Sequence, residues 1–181
     1  EVICHHLQHV VRQHAHELLT RDATRHLIDQ LKKNSPAVVD ELIPDLLSLG
    51  QVQQVLQRLL QEQVPIRQLL LILEALADRA TQTKDTTLLT EHVRCRLART
   101  ICQHHRTDDG RMHVLTMDPD LENHIASTIE HAENGISLRM SESSVQRLCD
   151  LIRKQLDTLP TNNSPPLILV NARIRPALKL L

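Results

Sequence analysis

Histidine carries most of the chemical promise in this chain: twelve occur among 181 residues. His5 and His9 stand i, i+4 apart, and His16 lies about two helical turns further along the same side, a spacing from which imidazoles can share a metal ion. A zinc peptidase needs HExxH, and here His16-Glu17 is followed by Thr20 where the second histidine should stand. No carboxylate lies close by to complete the site, so surface histidines are expected and no metal. His104-His105 beside Cys102 close a helical pattern, where histidine near the last carbonyls is ordinary. Cys4, Cys95, Cys102 and Cys149 form no CxxC pair and read as four reduced thiols. Gly50, Gly110 and Gly135 are the only glycines, too few for a phosphate-cradling loop or a dinucleotide fingerprint. There is no GxSxG, and Asp40-Glu41 and Asp108-Asp109 read as solvated carboxylates. The expectation is a protein that is not an enzyme and uses no cofactor.

Composition narrows the rest. Hydrophobic residues make up 41% and charged residues 24%, near globular averages. The formal charge is −1, with 21 Lys and Arg against 22 Asp and Glu, and no basic face of the kind that drives nucleic-acid binding. The cluster Arg94, Arg96, Arg99 reads as a solvated helix face. Phe, Tyr and Trp are absent, so the core must be aliphatic and no base-stacking platform exists. No apolar run reaches the ~18 residues of a membrane span. The chain opens and closes inside helical patterns, without an initiator Met or a signal peptide, and reads as a fragment of something longer.

Two helices organise the elements. Leu49, Val52, Val55, Leu56, Leu59 and Leu60 follow a helical spacing after Ser48, a ready cap. Pro65 is expected to end that helix, in a very short turn at Val64-Pro65, and to sit in the first turn of the next. The second helix carries Ile66, Leu69, Leu70, Ile72, Leu73, Leu76 and Ala77, an arc broad enough to be buried on more than one side. Before this pair the pattern predicts helices over 2–19, over 21–33 capped by Thr20, and over 36–43 with Ser35-Pro36 as the start. After it, Asp85 caps a helix over 86–105 with Leu88, Leu89, Val93, Leu97 and Ile101 on one side. Beyond 106–110 the character changes. A short strand is expected over 112–117, a helix over 119–132, a turn at Asn134-Gly135 and a helix over 142–159 capped by Ser141. Val145, Leu148, Leu151, Ile152 and Leu156 should face in. A linker over 160–166 leads to a buried strand over 167–170 and a helix around Pro176. The fold class is α+β, mostly α: an all-helical subdomain followed by a small mixed α/β subdomain. The helix–turn–helix geometry over 49–80 leaves a soluble helical DNA-binding regulator as the alternative reading, against which the apolar second helix argues.

Four stretches then carry a family resemblance: HAHELLTRDATRHLIDQL (14–31), PAVVDELIPDLLSLGQVQQVLQRLLQEQVPIRQLLLILEALADRA (36–80), TKDTTLLTEHVRCRLARTI (83–101) and PPLILVNARIRPAL (165–178). The sequence resembles the cytosolic domain of the bacterial type III export-gate family, the flagellar biosynthesis exporter and its injectisome relatives, with wording closer to the flagellar members. The resemblance implies an inner-membrane protein with this stretch on the cytoplasmic side. It implies a domain of several subdomains that assembles into a nine-membered ring. It implies partners in export chaperone–substrate complexes, other export-apparatus proteins and the ATPase complex, and none in nucleic acid. On that basis 1–13 ends a preceding subdomain, 14–105 is the all-helical subdomain, and 106–181 is the mixed subdomain, cut short at its C-terminus. The family's ring contacts make Arg67, Glu74, Asp85, Glu91 and Arg94 candidates for ion pairs within the domain or between subunits. The competing reading is a set of surface pairs worth ~0–1 kcal/mol each.

Overall fold

A computed structural model describes residues 2–107, 110–132, 135–158 and 166–181. They form two compact units, Glu1–His104 and His105–Leu181. The fold is α+β and mostly helical, as the patterning predicts.

The first unit runs α1 (Val2–Gln13), α2 (Ala15–Leu18), α3 (Arg21–Lys32), α4 (Pro36–Glu41), a wide turn over Leu42–Leu46, α5 (Leu49–Gln61), α6 (Leu69–Ala80), α7 (Thr86–Arg96) and α8 (Ala98–His104). Local chemistry starts these helices. The Thr20 hydroxyl accepts the Ala23 N–H at 3.1 Å. Ser48 and Gln51 form a capping box, with Ser48 Oγ accepting from Gln51 N at 3.3 Å and Gln51 Oε1 accepting from Ser48 N at 2.9 Å. Asp85 Oδ1 accepts the Thr87 N–H at 2.7 Å. Ser35 makes no such bond, and Pro36 alone opens α4.

Helix ends depart more from expectation. The helix over 2–19 breaks at His14, whose backbone leaves the helical region (φ −104°, ψ 12°), and it ends at Leu18, after which Leu19 is buried and its carbonyl accepts from Gln53 and Gln57 of α5 at 2.9 and 3.1 Å. Most of the apolar stripe on α1 stays at the surface, Ile3 being 82% and Leu7 60% exposed. Helix α4 stops at Glu41, since the backbone kinks at Ile43 (φ −122°, ψ 123°).

Helix α5 stops at Gln61, and the connection to α6 runs over 62–68 rather than turning at Val64-Pro65. The cause is a Schellman closure: Val64 N donates to Leu59 O at 2.9 Å and Gln63 N to Leu60 O at 2.9 Å, with Gln63 at φ 56°. Val64 tucks into the core beside this closure, and Pro65 lies outside both helices. The helix over 86–105 divides at Leu97, which is buried at the joint.

The core of this unit gathers Val52, Val55, Leu56 and Leu59 of α5 with Leu89 and Val93 of α7 around α6. Ala75, Leu76 and Ala77 are consecutive and all buried, so α6 is enclosed on more than one side, and its accessible residues Glu74 and Asp78 carry the charge that a DNA groove repels.

The second unit runs β1 (Val114–Thr116), α9 (Pro119–Thr128), β2 (Ile129–Ala132), β3 (Gly135–Leu138), α10 (Glu142–Leu156), β4 (Leu167–Leu169) and α11 (Arg175–Leu178). Strands β1 and β4 pair in parallel, Val114 opposite Leu167. Strands β2 and β3 pair antiparallel, Ile129 opposite Leu138. Helix α9 therefore ends four residues short of Ala132, because pairing with β3 takes Ile129 into extended backbone (φ −76°, ψ 126°). Ser141 caps α10, accepting the Ser144 N–H at 3.2 Å. Leu148 and Ile152 face the core formed with Ile125 and Ile174, but Leu151 is 57% exposed. Strand β4 is not buried: Leu169 is 60% exposed, because a two-stranded sheet covers only one of its faces here. The turn at Asn134 and most of the linker over 160–166 lie outside the described residues.

Candidate functional site

The charged residues singled out in the sequence gather around α5, α6 and α7. Arg94 of α7 forms an ion pair with Glu62, the residue that closes α5. Their side chains are only 17% and 11% exposed, so solvent screens the pair weakly. Near the other end of α7, Arg58 of α5 donates from Nη1 to Thr87 Oγ1 at 2.9 Å. Glu91 lies between them on α7 and is buried. Lys84, in the loop before α7, donates to the Leu46 carbonyl.

The remaining candidates are differently placed. Asp85 is exposed and serves as the cap of α7. Glu74 is half-buried on α6. Arg67 is exposed in the 62–68 connection, whose neighbour Gln68 accepts from Thr100 Oγ1 of α8 at 2.9 Å. Arg94 is thus engaged within its own chain, and Arg67 faces solvent. Sequence reasoning missed Glu62, Arg58 and Thr87. The partners stand 32 and 29 residues apart, and only the parallel side-by-side packing of α5 with α7 brings them together.

His92 on α7 is pushed below its ordinary value by burial first and then by the Arg79 guanidinium. Glu17 is held below the usual carboxylate range by its hydrogen bond from His14 Nδ1, at 2.8 Å, and by that residue's charge. Among the described residues no group of three or more His, Cys, Asp or Glu could hold a metal ion. The four cysteines are free thiols. No described helix is long and apolar enough to cross a membrane.

The second unit offers apolar surface instead. A groove of about 120 Å³ runs between β1 and α10, lined by Leu115, Met117, Leu148, Leu151 and Ile152, with Ile168 of β4 at its edge.

A helical unit built on α5–α7 followed by a small α+β unit is a combination that the solved type III export-gate chains contain. The nonameric SctV-C of EPEC matches 96% of this chain with a TM-score of 0.83 and 30% identity, over 52% of its own chain. The Chlamydia pneumoniae CdsV protein in complex with CdsO matches 97% with a TM-score of 0.85 and 30% identity, over 51% of its own chain. The chain belongs to the FHIPEP family, whose model matches residues 1–181. Among curated relatives, the flagellar biosynthesis protein FlhA of Bacillus subtilis is 34% identical over 180 residues, 99% of this chain and 27% of the relative. The chain thus spans about a quarter of that relative and about half of the solved chains it matches.

Proposed function

We propose that this chain is a docking and ring-assembly part of a type III protein-export gate, in a flagellar machine. It lies on the cytoplasmic side of the bacterial inner membrane and receives export substrates with their chaperones. It works by binding, without a reaction of its own or a cofactor. The observation that carries this reading is the match along nearly the whole chain to a relative solved as a nonamer. The complex of CdsV with CdsO supports docking to other components of the apparatus, and the ATPase complex is a further partner of this reading. The subdomains run over 14–105 and 106–181, with 1–13 ending a preceding one.

Within that frame Arg67, Glu74, Asp85, Glu91 and Arg94 are the ion-pairing set of the helical unit. Arg67 is the member offered to a neighbouring subunit: it is exposed and caps no helix. Arg94 acts inside the subunit, through Glu62. The test is Arg67→Glu in the complete cytosolic domain, sized in solution, and in the complete protein, scored for motility. Loss of the ring together with motility is expected. A ring of unchanged size with normal motility refutes the contact at Arg67. Replacing the matched quarter of the Bacillus subtilis relative with this chain tests the flagellar role separately: restored motility supports it, and a folded, ring-forming chimera that exports nothing refutes it.

A further inference from the structure

Helix α1 has two opposed faces, and neither is used by the proposed function. Ile3, Leu7, Val10 and Val11 lie along one side. At 3.6 residues per turn, His5, His6 and His9 fall within about 100° of arc on the other. All three histidines are exposed. Residues at i and i+4 on a helix have Cβ atoms about 5–6 Å apart. Two imidazoles at that separation can close on one ion, the arrangement that HExxH helices use for zinc. Arg12 is the only formal charge on the helix, so no carboxylate competes for the imidazoles.

We propose that His9, with His5 one turn before it, forms a two-histidine clamp for a divalent cation of the Zn²⁺, Ni²⁺ or Cu²⁺ kind, and that the ion fastens α1 as a helix. Imidazole suits these ions, and solvent water completes the coordination shell. Among the described residues no group of three or more His, Cys, Asp or Glu could hold a metal ion, so the clamp is a site of two protein ligands. A helix of 12 residues is marginal in water on its own hydrogen bonds. An ion that binds only the helical form shifts α1 toward that form by mass action. The apolar face lies on the opposite side, so the ion does not compete with whatever packs there.

The experiment titrates the full chain with zinc chloride at neutral pH, reading heat and far-ultraviolet circular dichroism together. Histidine 6 stands i, i+3 from His9, so His9→Ala removes both possible pairings while His6→Ala leaves the clamp intact. His9→Ala is expected to bind one ion fewer than the wild type and to lose the zinc-induced rise in helicity. His6→Ala is expected to keep both. Equal zinc binding by wild type and His9→Ala assigns the ion to other histidines and overturns the site. Binding that depends on His9 without any gain in helicity overturns the fastening of α1.

Discussion

The two units solve the same packing problem unequally. In the helical unit Leu56, Leu76 and Leu89 are completely enclosed. In the second unit Leu151 and Leu169 are 57% and 60% exposed, and the enclosed hydrophobic residues among those described are Ile125, Leu148, Ile174 and Ala177. Neither unit has an aromatic side chain to span a gap. The helical unit compensates by layering: α6 is sandwiched, so aliphatic side chains reach it from α4, the Leu42–Leu46 turn and α7. The second unit has two small sheets of two strands each, which cover less. Aliphatic residues alone suffice for a closed core when a helix can be surrounded, and leave surface open when a sheet has one covered face.

The largest test of this contrast is truncation at matched positions. Leu76→Ala should cost the helical unit about 3–5 kcal/mol, near the upper end for a leucine in a site that cannot collapse, and Leu148→Ala about 2–3 kcal/mol. Denaturant titration measures both, and equal costs would break the comparison. Charged pairs should sharpen it. Arg94→Met removes the sheltered pair with Glu62 and should cost about 2 kcal/mol, part of it recovered in the double variant with Glu62→Gln. Arg139→Met removes the pair with Glu130 in the second unit, where the side chains are 81% and 51% exposed, and should cost at most about 0.5 kcal/mol. The smallest effect has the opposite sign. Gln63→Gly relieves a left-handed residue at the end of α5 and should raise the stability of the helical unit by about 0.5–1 kcal/mol. A loss there would mean that the Gln63 side chain holds something the backbone geometry does not require.

Much of the fold was legible where its cause is local. Thr20, Ser48, Asp85, Asp118 and Ser141 each cap the helix that follows, since a short polar side chain reaches N–H groups two or three residues on. Helix ends were less legible. Gln63 adopts positive φ without being glycine, and no signal at His14 marks the break there. The run Leu167–Leu169 has the composition of a buried strand, yet burial depends on what covers it, which composition does not encode. The site divides the same way. Charged positions could be named from the sequence, but Glu62 could not be assigned to Arg94, because that pairing is a product of how α5 lies against α7.

One small contact has a mechanical consequence. The Leu19 carbonyl takes both of its hydrogen bonds from the side chains of Gln53 and Gln57, on successive turns of a single helix. A pull on residues 2–18 is therefore stopped at a two-pronged latch before it reaches α3, whose first turn is held separately by Thr20. Force entering along α1 would meet the two amide bonds to one carbonyl and the buried Leu19 side chain at the same residue.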